Sequence, residues 1–304
     1  MVYDSIVCVK QVPDTANITA EAMKEDGTVN RAALPTIFNP EDLHALETAL
    51  EVRDQYGGTV TVVSMGPPKA ADVLRDSLFR GADRAILLTD RRAAASDTLA
   101  TSYILAKAVR TIGRYDFVFC GRQAIDGDTA QVGPQCAEKL GIPQVTYLEE
   151  LVSVHDRVAR IRRNIGHGWE IVEAKLPVLV TVIETANEPR PQAAKRVMRT
   201  KRAKVPAEVA AEVKAAMPEA PEEQLAAETA RRTEWLKVRG LLIEQWDLDA
   251  IHADLMRCGL AGSPTKVHRV QAIVLTKEGF TDVLPTEAGI GQMIHELVVD
   301  RTWG

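Results

Sequence analysis

The sequence predicts an α/β fold: a doubly wound, mostly parallel sheet with a helical arm on its C-terminal side. Three observations carry this expectation. Short apolar runs at residues 5–9, 59–64, 84–88 and 116–120 are separated by longer helical patterns. Those runs are nearly continuous in apolar residues, as strands covered on both faces are. Beyond Glu184 the strand–helix alternation stops and Ala/Glu-rich helical sequence takes over.

Taken in order, Ser5-Ile6-Val7-Cys8-Val9 is the first strand. A helix follows at Asn39, which suits a cap, with Pro40 at the first helical position and Glu41 and Asp42 at the positive end of the dipole. Leu43, Leu46, Ala49 and Leu50 recur at helical spacing until Gly57-Gly58 ends the element. Strand 59–64, helix 68–80, strand 84–88, helix 97–109, strand 116–120 and helix 128–140 then continue the pattern. Residues 145–154, 158–163 and 171–175 are expected as further strands around a Gly-rich turn at 164–168, and 178–183 as a return to the sheet. His167 lies in that turn, where a solvent-facing spacer and a ligand or base are both open readings. Glu188-Pro189-Arg190-Pro191 breaks regular structure, and Lys195, Arg196, Arg199, Lys201, Arg202 and Lys204 form a basic stretch. Val205, Val209, Val213 and Met217 sit at helical spacing, and a second helical run covers 222–242. A loop at 260–265, a strand at 270–276 and a helix at 286–297 complete the expectation. The domains expected are an α/β unit at 1–186, a loop segment at 187–204, and an arm with its extension at 205–304.

Thirty-seven Lys+Arg against 42 Asp+Glu give a net charge of −5, which excludes a protein that coats nucleic acid or an anionic membrane through its overall charge. The apolar runs fall short of the ~20 residues that a membrane-inserted helix needs. Met1-Val2-Tyr3-Asp4 leads straight into the first strand with none of the features of a secretory leader, so a cytoplasmic location is expected. The four cysteines, Cys8, Cys120, Cys136 and Cys258, contain no C-x-x-C pair, and iron–sulfur and structural zinc sites lose their usual support. Cys8 and Cys120 lie in strand-like runs, where small buried thiols are common. No phosphate-loop, G-x-G-x-x-G, G-x-S-x-G or H-E-x-x-H pattern is present.

In a doubly wound sheet, ligands sit beyond the carboxyl ends of the strands at a topological switch point. The strand-exit loops at 9–11, 64–67, 89–98 and 121–128 are therefore the candidates. The richest runs from Cys120 to Gly133. Asp128 is placed to cap a helix while Gln131 reaches back as in a capping box, leaving the N–H groups of Thr129 to Gln131 to face a phosphate. Gly121 and Gly127 let the backbone approach closely. An ordinary capped helix after an ordinary turn is the other reading, and the carboxylates of Asp126 and Asp128 oppose a phosphate unless they point away or bind ribose.

Five segments occur in this order: Val9-Lys10-Gln11-Val12-Pro13, Asn39-Pro40, Val63-Ser64-Met65-Gly66-Pro67, Arg80-Gly81-Ala82-Asp83-Arg84 and Gly121-Arg122-Gln123-Ala124-Ile125-Asp126. Together they closely resemble the beta subunit of electron transfer flavoprotein, from about residue 5 to 204. The resemblance implies a Rossmann-like, adenine-nucleotide-binding domain that pairs with an alpha subunit carrying the electron-transferring FAD. It implies a pocket at Cys8, Asn39, Met65, Gly66 and the stretch Gly121, Arg122, Gln123, Ala124, Ile125, Asp126, Gly127, Asp128, Thr129, Ala130, Gln131 and Val132. That pocket takes AMP in ordinary members and a second FAD in electron-bifurcating ones. Asp90-Arg91-Arg92 followed by Asp97-Thr98-Leu99-Ala100-Thr101-Ser102 is similar to the bifurcating type, which implies flavin contacts for Asp90, Thr98 and Thr101. Thr98 and Thr101 are one turn apart on one helix face. Gly262-Ser263-Pro264-Thr265-Lys266-Val267 and Met293-Ile294-His295-Glu296-Leu297 also resemble that type.

Residues 188–204 resemble the family's recognition loop, which docks acyl-CoA dehydrogenases, with Ala194 where an apolar anchor usually stands. The function implied is electron transfer from a donor such as NADH, by flavin-based bifurcation, to the alpha-subunit FAD and a dehydrogenase or quinone-reducing acceptor. A beta subunit with structural AMP, and an adenine-nucleotide-binding regulatory protein without redox work, are the alternatives. No catalytic side chain and no metal are expected.

Overall fold

The computed structural model describes residues 1–14, 34–265 and 282–299. In chain order the strands are β1 (Ser5–Cys8), β2 (Gln11–Pro13), β3 (Thr36–Phe38), β4 (Val60–Met65), β5 (Arg84–Leu88), β6 (Phe117–Gly121), β7 (Gln144–His155), β8 (Val158–Asn164), β9 (Trp169–Lys175), β10 (Val178–Val182) and β11 (Glu244–Trp246). The α-helices are α1 (Pro40–Tyr56), α2 (Ala71–Arg80), α3 (Thr98–Ile112), α4 (Val132–Leu140), α5 (Ala194–Thr200), α6 (Pro206–Ala216), α7 (Glu222–Val238) and α8 (Glu287–Val299). Nine strands form one sheet in the order β11-β5-β4-β1-β6-β10-β7-β8-β9. The first seven of these are parallel, and β7, β8 and β9 form an antiparallel meander at one edge. A separate antiparallel pair, β2 with β3, follows the exit of β1.

The sheet is buried on both faces because neighbouring residues of each strand feed opposite cores. Val7, Val60, Val62, Phe117, Phe119, Val178 and Val180 share a core with Leu46 and Leu50 of α1 and Leu74 of α2. Ile6, Val63, Ile86, Val118 and Leu179 enter the other core, with Ile104 and Val109 of α3 and Cys136 of α4. Phe117 and Phe119 stack at 5.2 Å and are fully buried, each worth about 1.5–3 kcal/mol in apolar burial.

The mostly parallel, doubly wound sheet expected from the sequence is present, with shifted boundaries and two differences of substance. Helix α4 begins at Val132 rather than at Asp128. Asp128 and Ala130 have φ of 47° and 52°, a left-handed backbone that no right-handed helix can include. The helix starts where Gly133 lets it press on the sheet, since a Cβ there would lie 2.8 Å from Thr181 Cγ2 and 2.9 Å from Cys120 Sγ.

Strand β11 lies inside the stretch expected as arm. It pairs with β5, while Ile243 enters the first core and Leu248, Ile251 and Cys258 enter the second. The arm proper is the α6–α7 hairpin, and the chain returns to the sheet at Leu241. The expected strand at 270–276, together with Lys266 and Val267, lies outside the described residues. Among the described residues no helix is long and apolar enough to cross a membrane.

Candidate functional site

From β1 the chain winds by α1 to β4 on one side, and by α3 to β6 on the other, so the switch point is the crevice between the carboxyl ends of β1 and β6. Both exits are held by the N-terminus of α1. The Asn39 side chain, fully buried, donates from Nδ2 to Gln123 O at 2.9 Å and accepts the Ile125 N–H at 3.1 Å. Glu41 accepts the Gln123 N–H at 2.8 Å and pairs with the Arg122 guanidinium at 2.6 Å. Asp42 accepts the N–H groups of Lys10 at 2.8 Å and Gly121 at 3.0 Å, one from each strand exit. Burial raises the Asp42 pKa to about 7, against the opposing pull of Asn39 and those two N–H donors. Gly121 is required here, because a Cβ would come within 2.5 Å of Asp42 Oδ1 and 2.8 Å of Glu41.

Beyond Gly121 the loop folds on itself. Gly127 and Asp128 donate to Ala124 O, and Gln123 Nε2 reaches Asp128 Oδ1 at 3.0 Å. The N–H groups of Thr129, Ala130, Gln131 and Val132 bond to no described residue. Left-handed Ala130 is followed by right-handed Gln131, a pairing of hands that turns successive N–H groups into an anion-receiving concavity. The N–H donors expected at 129–131 therefore have no partner among the described residues, and it is a nest ahead of the helix, not its first turn, that presents them. Lys10 Nζ lies 2.7 Å from Asp126 Oδ1, so one of the two carboxylates expected to oppose a phosphate is balanced by a cation from the opposite strand exit, while among the described residues Asp128 accepts only the neutral Gln123 amide.

The start of α3 forms the other wall. Asp97 caps it by accepting the Ala100 N–H, and Thr98 donates to Gln131 Oε1 at 2.8 Å. Thr101 is half-buried one turn on, and Ser102 donates to Gln135 of α4. Met65 and Gly66 close the β4 exit, where the Gly66 N–H bonds to Leu88 O. Cys8 and Cys120 are paired in register on β1 and β6, and burial pushes both thiols well above their ordinary range, which keeps them neutral.

The structure thus gathers Cys8, Met65, Gly66, Thr98, Thr101 and residues 121–132 along one sheet edge. It places Asn39 inside that edge as a brace. Asp90 turns aside: its carboxylate caps residues 91–93, pairs with Arg92 at 2.6 Å and accepts the Leu248 N–H, and the Arg92 bonds hold its pKa down to about 2.

The structural roles of two sets of residues escaped the sequence reading, although Lys10, Ser263 and Thr265 lie in segments that carry the resemblance. Lys10 was visible only as part of a matched segment. Ser263 is buried; it accepts the Asp97 N–H at 2.8 Å and donates to Gly259 O, while Thr265 N–H and Gly259 N–H bond to Asp97 and Ser96. The C-terminal segment therefore pins the loop that leads into α3, a long-range role with no local signal.

Fold and edge together define a Rossmann-like α/β protein of the doubly wound class, with its crevice braced by α1. The chain matches the electron transfer flavoprotein domain over residues 26–213. It is 40% identical over 292 residues to "Electron transfer flavoprotein subunit beta" of Clostridium acetobutylicum, covering 96% of both chains. It is 41% identical over 300 residues to "Protein FixA" of Azorhizobium caulinodans, covering 95% of this chain and 92% of that one. With "Caffeyl-CoA reductase-Etf complex subunit CarD" of Acetobacterium woodii it shares 46% over 186 residues, 61% of this chain and 70% of that one. The chain belongs to the electron transfer flavoprotein family, among its beta subunits.

Proposed function

We propose that the chain is the beta subunit of a heterodimeric electron transfer flavoprotein that holds FAD at the β1/β6 switch point. It would pass electrons, with NADH as donor in a bifurcating scheme, to the alpha-subunit FAD and to a dehydrogenase or quinone-linked acceptor. The observation that carries this reading is the convergence of open N–H groups at 129–132 with the Thr98–Thr101 face of α3 on one edge. The similarity to a subunit of a caffeyl-CoA reductase–Etf complex supports it.

The flavin, when bound, supplies the electron-carrying chemistry; the protein supplies binding, orientation and electrostatics. In this assignment the nest at 129–132 receives the anionic phosphates, and the Thr98 and Thr101 hydroxyls donate to or accept from the ligand's polar edge. The neutral thiols of Cys8 and Cys120 and the side chain of Met65 give the floor of the crevice an apolar character. Lys10 balances Asp126 at its mouth.

The test is to purify the chain with its alpha partner and count the released nucleotides. Two FAD per heterodimer is the expected result. One FAD with one AMP assigns the crevice to a structural nucleotide, and no flavin removes the redox reading.

A further inference from the structure

The arm carries a second concave site, remote from the strand exits. Helices α6 and α7 pack on each other through Val209, Val213, Leu236 and Leu241, and beside that small core lies a cavity of about 420 Å³. Arg202, Lys204, Arg231, Arg232, Glu212 and Trp235 line it.

Its charge is unbalanced. Lys204 pairs with Glu212, and Arg231 and Arg232 share the single carboxylate of Glu228 at 2.7 Å each. Arg202 has no ion-pair partner among the described residues. Four cations against two carboxylates leave an excess of two positive charges on a chain whose net charge is −5. Glu228 also fixes two guanidinium groups side by side, which lowers the ordering cost of presenting them to another anion.

The cavity has an apolar element as well. Trp235 is 45% exposed, and the Arg239 guanidinium lies 4.2 Å over its ring. A half-exposed tryptophan with one face backed by an arginine and further arginines beside it has the composition of a binding hot spot; a purely solvated charged face carries no such anchor.

We propose that this cavity is a docking site for an acidic segment of a partner protein: carboxylates meet Arg202, Arg231 and Arg232 while one large apolar side chain packs beside Trp235. Binding of this kind is charge-assisted and salt-sensitive. It is independent of the nucleotide at the sheet edge, since none of these residues lies there.

The test uses the full-length chain and a fluorescent peptide of six glutamates around a central phenylalanine, followed by anisotropy. Saturable binding is expected in about 50 mM salt, weakening about tenfold or more by about 300 mM. Trp235→Ala and Arg202→Gln are each expected to weaken it about tenfold, while Trp235→Phe retains most of it. The double variant Lys195→Glu/Arg199→Glu, in the basic stretch but outside the cavity, binds as the parent does. Arg202→Gln changes an exposed side chain, so the test stands even if Trp235→Ala perturbs α7. Absence of binding by the parent overturns the proposal. So does equal loss in the Lys195/Arg199 variant, which makes the patch a diffuse charge, or full binding by Trp235→Ala, which removes the anchor.

Discussion

Thr98 shows how one hydroxyl serves the edge in two ways. It opens α3, and it donates to Gln131 across the crevice, so it ties the helix to the 122–131 loop. In the proposed assignment, replacing Thr98 and Thr101 by Val removes two polar contacts to the flavin of about 1 kcal/mol each, and flavin affinity is expected to fall about tenfold or more. Flavin content per purified heterodimer reads this directly, and unchanged content takes both residues out of the site. Asp42 offers a test in pH. Its pKa is raised from 3.8 to about 7 in the folded chain, so the folded state binds the proton more tightly. Its contribution to stability is complete below about pH 4 and is lost as pH rises through 7. The Asn variant has no such proton, so the advantage of the parent over Asp42→Asn should be largest near pH 4 and shrink towards pH 7. Denaturant unfolding at several pH values measures it; an advantage independent of pH would mean an ordinary, solvated carboxylate, and one that grows with pH would mean a folded-state pKa lowered and not raised.

At the scale of elements, the organising contact is the wedge of α1 between the exits of β1 and β6. Gly121→Ala places a methyl against Asp42 and Glu41 in a crowded, buried position. The cost expected is about 1–3 kcal/mol, read as a lowered thermal midpoint, together with release of the Gln123 and Ile125 amides to hydrogen exchange. A parallel case is Ser263, which the C-terminal segment inserts beneath the loop into α3. Ser263→Ala removes the side-chain partner of the partly buried Asp97 N–H at about 1 kcal/mol, and the amides of residues 95–98 should then exchange faster than those of β6. These contacts explain what could be read in advance. Strands β1, β4, β5, β6 and β10 were legible because both faces are buried and, apart from Arg84 at the start of β5, their residues are apolar or small. The caps were less legible: Asn39 holds the position expected of it ahead of α1, but its side chain makes no cap bond because Gln123 and Ile125 engage it. Strand β11 was not, because Glu244-Gln245-Trp246 joins the sheet by backbone pairing and by the Arg84–Glu244 bonds at 2.6 and 2.8 Å, neither of which leaves an apolar pattern. The start of α4 was misplaced because Asp128 and Gln131 have the spacing of a capping box, while the left-handed turns that exclude it come from tertiary demands on the loop. The brace role of Asn39 and the pinning by Ser263 join residues more than eighty positions apart, beyond any local pattern.

For the whole molecule, the question is how far the arm depends on the sheet. Lys204 N–H donates to Leu241 O at 3.0 Å and Ile243 N–H to Lys204 O at 2.9 Å, so the two ends of the α6–α7 hairpin lie side by side. The hairpin has its own small core, and among the described residues its ties to the main body are few: Ala207 packed on the first core, Arg75 with Glu208 at 2.9 Å and the Ala207 N–H with Gln245 at 3.2 Å. Those ties are partly exposed and individually weak, about 0–1 kcal/mol for the ion pair. Excising residues 206–240 and joining 205 to 241 through a bridge of about four Gly/Ser residues should therefore preserve a single cooperative unfolding transition, with stability lowered by about 1–3 kcal/mol. The nucleotide content of the heterodimer should be unchanged, because the sheet edge, α1 and the segment that pins residues 90–97 all survive. Binding of the acidic peptide should vanish. A shortened chain that no longer folds would show that α6 and α7 complete the core that holds β11 in place, and the arm would then be part of the architecture of the sheet.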